Sequence, residues 1–190
     1  MNDFLSTWKN DATFRGLAFW TIALVMFTSI HHVYGGAIYS TSWRILMPLF
    51  MFIPTLVLTL VLQYQAVKRS SRILLIGYVL LTIIAWVIGV GIYEGGYNHV
   101  LKNVLYFSGT ASDLMVKMFP PEFGGMKLYE SAPNDFLFEA SGIATTIFGF
   151  LVVSYMIPFV KRQWNRINSS QNLREGIRRG QPFTADREVN

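Results

Sequence analysis

The sequence predicts an all-α protein, a four-helix transmembrane bundle. Of its 190 residues, 52% are hydrophobic and only 14% are charged. The hydrocarbon core of a bilayer, roughly 30 Å thick, needs about 20 apolar residues to span it as a helix, and four apolar runs approach or exceed that length. A soluble protein with four buried helices is the alternative, but so short a chain cannot cover apolar surface on every side of each helix.

The four runs are the predicted spans of one membrane domain, residues 1–160, and they cover 16–33, 45–63, 73–92 and 136–160. The first is too long for a signal peptide and lacks a cleavage site after it, so we expect a retained anchor. The second contains Pro48 and Pro54, which a membrane helix tolerates as kinks. The third ends in "GVGIYEGG", whose glycines permit close helix approach or a break. The fourth begins after "SAPND", with Asn134 or Asp135 as N-cap.

Two further segments lie outside the spans. The segment 93–135 is too long to be a simple connector, and its "NHVLKNVLYFSGTASDLMVKMF" has helical spacing, which predicts a partly helical outer loop. "PPEFGG" then breaks the regular structure. Residues 161–190 form a basic tail that we expect to lie in the cytoplasm against anionic headgroups. The chain contains no phosphate loop or nucleotide fingerprint, and we expect no nucleic-acid partner.

The distribution of basic residues predicts the orientation of the bundle. The face with both termini carries twelve of the 16 basic residues, against four (Arg44, Lys102, Lys117 and Lys127) on the other face. Cytoplasmic loops carry the excess of Lys and Arg, so both termini are predicted to be cytoplasmic. The short turns and retained anchor favour a prokaryotic plasma membrane.

All three histidines fall on the predicted outer side. Two of them, in "SIHHVYGG", end the first apolar run, and His99 lies beyond the predicted end of the third helix. His31 and His32 are about 100° apart around a helix, so one can face the bundle while the other faces the rim or the loop. Glu94 and His99 would be about 140° apart and would share a face only if the helix bends at Gly95 and Gly96.

Ionisable groups in a membrane span are costly, so each is expected to face protein or water and to have a partner. His31, His32, His99, Glu94 and Glu139 are the predicted metal ligands, a mixed set that suits zinc, iron or manganese. The absence of cysteine excludes a thiolate site. Copper is the next candidate because five methionines are predicted nearby, namely Met47, Met51, Met115, Met118 and Met126.

The predicted function is metal handling, or metal-assisted chemistry on a lipophilic substrate, at this outer pocket. In the second case Glu139 or Glu94 would be the catalytic proton acceptor. Arg44, Tyr97 and Asp135 are the candidate contacts to a bound cofactor or ligand. The plain alternatives are interfacial hydrogen bonding for the histidine pair, a helix-dipole contact for Glu139 and snorkelling for Arg44.

Two other functions remain open from the sequence. One is a metal-free pocket for a lipid, quinone or sterol-like molecule, with Glu139 or Glu94 as acid/base or headgroup contact. The other is an accessory subunit, or a homo-oligomer, that packs through the glycine-rich third helix within a larger membrane complex. A metal site requires the histidines to converge within about 5 Å of a carboxylate, since metal–ligand bonds are about 2 Å long.

Overall fold

The computed structural model describes residues 2–120 and 132–178, and every regular element in them is a helix. Four of the helices are long and apolar enough to span a membrane, which confirms the all-helical class and the four predicted apolar helices. The helices are α1 (Asn2–Asn10), α2 (Ala12–Ile38), α3 (Ser42–Arg69), α4 (Arg72–Phe107), α5 (Ser112–Met118) and α6 (Phe136–Arg178).

The helices extend beyond the predicted apolar runs. Helix α4 continues to Phe107, so the glycines do not end it and the first part of the predicted outer loop is helical. His99 therefore lies inside a helix, and its predicted place beyond the helix end is wrong. Helix α6 continues through residues 161–178 of the predicted tail. Most of "PPEFGG", Met126 and the end of the tail lie outside the described residues.

Two stretches of the spanning helices adopt the wider π-helical turn. They are Pro48–Phe52 in α3 and Thr82–Leu101 in α4. In α3 the wide turn comes just before Pro54, whose ring would clash with the carbonyl four residues earlier in an α-helix. Hydrogen bonding in a π-helix runs between residues five apart, so such residues lie on successive turns of one face. In α4 this relation joins Glu94 and His99.

Helix α6 packs against both α2 and α4. At its crossing with α4 the two backbones meet at glycines: a Cβ placed on Gly91 would lie 3.2 Å from the Cα of Gly149. Thr146 Oγ1 also donates to the carbonyl oxygen of Gly91 at 3.1 Å. Small residues permit such close packing of membrane helices. The crossing holds the Glu94 region of α4 against the start of α6.

The two halves of the bundle differ in what they bury. We call the half that contains the start of α2 and the end of α6 the terminal end. It holds large side chains that are almost fully buried, including Phe14, Leu17, Tyr78 and Phe159. The opposite half, the histidine end, buries the three histidines together with Arg44, Lys102 and Glu139. Charged side chains are rarely buried unless they are paired, so the histidine end is where function is expected.

Candidate metal centre

The three histidines converge on one carboxylate oxygen. Their Nε2 atoms lie 3.3 Å (His31), 3.9 Å (His32) and 3.7 Å (His99) from Oε1 of Glu94. His31, Glu94 and His99 form a compact group whose donor atoms all lie within 4.8 Å of one another. Both histidines of this group are 1% exposed. Residues far apart in the chain, on α2 and α4, thus meet at a point deep in the bundle.

The spacing of these donor atoms is on the scale of a metal site. Zinc–nitrogen and zinc–oxygen bonds are about 2.0–2.2 Å long, so neighbouring donors around a tetrahedral ion are separated by about 3.3 Å. The distances from Glu94 Oε1 to His31 Nε2 and His99 Nε2 are 3.3 and 3.7 Å. All donor atoms of the group lie within 4.8 Å of one another, so side-chain adjustment would be needed to bring every pair to the tetrahedral separation.

The far side of two imidazole rings is held by an acceptor. His99 Nδ1 lies 2.8 Å from Oε2 of Glu139, and His32 Nδ1 lies 3.0 Å from the carbonyl oxygen of Thr28. A carbonyl oxygen and an ionised carboxylate only accept hydrogen bonds, so these Nδ1 atoms carry the hydrogen. In a neutral ring Nε2 then holds a lone pair. Both Nε2 atoms lie on the Glu94 side of their rings, 3.9 Å (His32) and 3.7 Å (His99) from Oε1.

His31 is held in the same way by a hydroxyl. Its Nδ1 lies 2.8 Å from Oγ of Ser141, and that hydroxyl donates to the carbonyl oxygen of Phe138 at 3.0 Å. When the Ser141 hydrogen is used on the carbonyl, its oxygen can accept from His31. All three rings therefore present Nε2 toward one carboxylate. Metal-ligating histidines are held in this way, with the second ring nitrogen donating to a neighbouring oxygen.

Glu139 lies behind His99, outside the compact group. Its carboxylate accepts from Lys102 Nζ at 2.5 Å and from Asn103 Nδ2 at 2.7 Å as well as from His99. The sequence analysis named Glu139 as a ligand and catalytic base, but its observed contacts are those of a group that orients an imidazole. Lys102 and Asn103 were missed as site residues, although they follow His99 by three and four positions and so lie on its helix face.

The two carboxylate oxygens of Glu94 have different partners. Oε1 faces the histidines, and Oε2 accepts from Asn98 Nδ2 at 2.8 Å. In an α-helix, Glu94 and His99 would share a face only if the helix bent at Gly95 and Gly96. Here the π-helical turns place them on one face. The α-helical angle used in the sequence analysis was wrong for this segment. A side chain on Gly95 would also overlap Thr145 and Thr146 of α6.

Both members of the histidine pair are buried, at 1% exposure for His31 and 5% for His32. The expectation that one of them faces the rim is wrong, because α3 covers that side of α2. The His32 ring packs edge-on against Phe52 of α3, with 5.0 Å between ring centres. His32 is therefore held beside the compact group as a third nitrogen that faces Glu94.

Phe138 forms one wall of the site and was not predicted. Its ring stacks on His31, with 4.3 Å between centres and 15° between planes, and meets His99 edge-on at 4.9 Å. Two glycines make room for these rings: a Cβ on Gly35 would overlap Phe138, and a Cβ on Gly142 would overlap His99. This contact could not be predicted from the sequence, because a glycine pattern does not indicate which ring will pack against it.

The site lies between two cavities. The first, here called the cation cavity, has a volume of about 530 Å³ and is lined by Arg44, Lys102 and Lys117 together with Glu94, His99 and Tyr97. The second, the apolar groove, has a volume of about 440 Å³ and lies between α3 and α4. Trp43, Met47, Met51, Phe52 and Trp86 line it with His32 and Glu94.

The three residues predicted to contact a cofactor or ligand have different positions in the structure. Arg44 and Tyr97 line the cation cavity, where the Tyr97 hydroxyl donates to the carbonyl oxygen of Met118. Asp135 instead caps α6, since Oδ1 accepts from the backbone N–H of Phe138 at 2.8 Å, and it also accepts from Tyr34 Oη at 3.1 Å. Asp135 therefore serves as the N-cap of α6, one of the two caps that the sequence predicted.

The described structure is thus a helical protein with four membrane-length helices and a buried His/Glu cluster compatible with a metal site. No family model, no curated protein and no solved structure matches the chain.

Proposed function

We propose that this chain is an integral membrane protein that binds a metal ion through His31, Glu94 and His99 and uses it in chemistry on a lipophilic substrate. The observation that carries the proposal is the orientation of the three imidazole rings: each Nδ1 is held by a neighbouring oxygen while each Nε2 faces Glu94 Oε1. A metal ion among these atoms would bind the Nε2 nitrogens and the carboxylate oxygen together, and its charge would offset that of the buried carboxylate.

Zinc suits the donor set best. Catalytic zinc has three protein ligands drawn from His, Asp or Glu and keeps one position open for water or substrate. The compact group supplies two nitrogens and one carboxylate oxygen, and Glu94 and His99 also line the cation cavity. Iron and manganese accept the same donors, and copper remains a candidate because Met47 and Met51 line the groove beside His32.

The surrounding residues have distinct roles under this proposal. A metal here would act as a Lewis acid toward a bound substrate. Glu139 orients His99, and Lys102 balances the charge of Glu139 in the buried interior. Asn98 holds the second oxygen of Glu94, which leaves Oε1 directed at the histidines. We place Glu94, the carboxylate that reaches both cavities, closest to a reacting group.

Elemental analysis of the detergent-purified full chain tests the proposal. We expect near-stoichiometric metal in the wild type, and loss of most of it in His31→Ala and in Glu94→Gln, because each variant removes one donor of the compact group. Gln63→Leu is the matched control: Gln63 is fully buried in the terminal end, so its metal content should equal that of the wild type. Helix content by circular dichroism checks that each variant folds.

A wild-type protein that holds no metal, even after reconstitution with zinc, iron, manganese and copper salts, would contradict the proposal. The histidines would then be protonated partners of Glu94, and the metal-free ligand pocket would become the better interpretation. Equal metal content in all four proteins would place the ion elsewhere in the chain.

A further inference from the structure

The two cavities meet at the proposed metal centre. Tyr93, Glu94 and Asn98 line both the cation cavity and the apolar groove. His99 lines the first and His32 lines the second, so the converging nitrogens stand at the partition between them. A single molecule that occupies both cavities would therefore lie beside Glu94, the one donor of the compact group that lines both.

The cation cavity has the chemistry of an anion site. Arg44 and Lys102 are both buried, and both lie near one ring: Arg44 Cζ is 5.3 Å and Lys102 Nζ is 6.0 Å from the centre of Phe138. Lys102 makes one close contact with Glu139 and has three donors in all. Lys117 adds a third cation to the lining. Arginine and lysine together bind phosphate or carboxylate groups.

The apolar groove has the chemistry of a hydrocarbon site. Aromatic and methionine side chains of α3 form one wall, and Ala85, Trp86 and Val90 of α4 form the other. Trp43 and Met51 are 43% and 54% exposed on the surface of a helix long enough to span the membrane. The groove therefore opens toward the hydrocarbon of the bilayer, and a lipid chain can enter it from the side.

We infer that the substrate of the metal centre is a bilayer amphiphile with an anionic headgroup, phosphate or carboxylate, and an apolar chain. The headgroup occupies the cation cavity, the chain occupies the apolar groove, and the bond region between them lies beside Glu94. This assignment rests on the proposed function, since it names the substrate class of the same centre. Both volumes, about 530 and 440 Å³, are of the size that small-molecule ligands fill.

The probe is dodecyl phosphate that carries bromine near the end of its chain. Bromine quenches tryptophan fluorescence on contact, and Trp43 and Trp86 both line the groove. Full-length, metal-loaded protein in a non-ionic detergent is titrated with this probe and with the matched cationic probe, brominated dodecyltrimethylammonium. We expect saturable quenching by the phosphate probe at concentrations about tenfold lower than for the cationic probe. A tenfold difference in affinity corresponds to about one hydrogen bond to a charged group.

Variants test each half of the site separately. Arg44→Gln and Lys117→Gln remove headgroup cations and should weaken phosphate-probe binding, by roughly tenfold for the buried Arg44. Lys161→Gln is the matched control, the same type of change on an exposed lysine of the terminal end. Ala85→Phe fills the groove and should abolish quenching by either probe. Metal content is measured on every sample. It should equal that of the wild type, because these four residues lie outside the compact group.

Four results would overturn the inference. Equal binding of the two probes to metal-loaded protein, or equal effects of Lys117→Gln and Lys161→Gln, would exclude an anionic headgroup and leave the proposed function standing. Displacement of the probe by inorganic phosphate at similar concentrations would show a site for free anions. Binding of the phosphate probe to a protein that holds no metal after reconstitution would contradict the proposed metal centre. The assignment of a substrate to that centre would then fail as well.

Discussion

At the scale of single residues, the proposed site depends on side chains that contact the histidine donors but would not contact the metal ion themselves. Glu139 contacts the Nδ1 atom of His99, and Ser141 contacts that of His31, so α6 orients donors that belong to α2 and α4. Such outer contacts fix the tautomer and direction of a ring. Removing one should leave the donors present but less well directed.

We expect Glu139→Gln to lower metal affinity by about 10–100-fold, the usual effect of losing an outer carboxylate partner. An amide can still accept one hydrogen bond but carries no charge, so it supports His99 less and leaves Lys102 unbalanced. Affinity is measured by competition with a chelator of known strength. Asp135→Asn is the control, because it changes a carboxylate on the turn before Glu139 that caps α6, and asparagine caps a helix equally well.

An unchanged affinity in Glu139→Gln would show that His99 does not need its carboxylate partner, and would argue against His99 as a ligand. A loss of affinity in both variants would point to movement of the start of α6 rather than to the imidazole contact.

The sequence identified the site residues better than their roles. His31, His99 and Glu94 were predicted as ligands because ionisable groups in apolar segments need partners, and the structure brings these three together. Phe138 and Ser141 were missed, because a phenylalanine or a serine in an apolar helix has no distinguishing signal. Their contacts depend on how α6 lies against α2, which spacing within one helix does not determine.

At the scale of elements, helix α4 determines whether the site can form. Its π-helical turns place Glu94 and His99 on one face, and its glycines let α6 approach. The sequence predicted the helix and the close approach, but not the wider turn, because residue types that form π-helices are not distinct from those that form α-helices. The hydrophobic run likewise ended the predicted helix too early.

Gly149→Val should separate α4 from α6 and lower both stability and metal affinity. A Cβ at this position would lie 3.0 Å from the Cα of Gly91, and backbone cannot move aside as a side chain can. Overpacking of this kind costs about 1–3 kcal/mol of unfolding free energy. Thermal unfolding in detergent and metal competition are the measurements.

Gly77→Val provides the comparison, because a Cβ on Gly77 meets nothing within 4 Å. That variant should bind metal as the wild type does. Similar losses in Gly149→Val and Gly77→Val would show that the cost comes from valine in a helix and not from the helix crossing.

At the scale of the whole molecule, charge and polarity divide the bundle into two ends. The terminal end holds a capping cluster in which Asp11 accepts from Arg162 at 3.1 Å and from Gln163 at 3.4 Å, while the histidine end holds the proposed site. Basic residues are concentrated at the terminal end, so the positive-inside rule still predicts that the site opens to the extracytoplasmic side.

Cysteine labelling can test this orientation directly, because the chain has no cysteine of its own. Ser112→Cys lies at the start of α5 near the histidine end, and Ser169→Cys lies on α6 near the terminal end; both positions are exposed. In intact cells, an impermeant maleimide should label Ser112→Cys and should label Ser169→Cys only after lysis. The reverse pattern would place the site on the cytoplasmic side.

The order of residues along the chain gives the ligand arrangement a consequence for biogenesis. Every proposed donor lies before residue 100, on the first and third spanning helices, whereas the partners Glu139 and Ser141 belong to the last one. A ribosome therefore delivers the donors to the membrane well before the groups that orient two of their rings. Insertion of the final helix would then complete the proposed site by supplying Glu139 and Ser141. A nascent chain arrested before that step should bind a metal ion more weakly than the full chain.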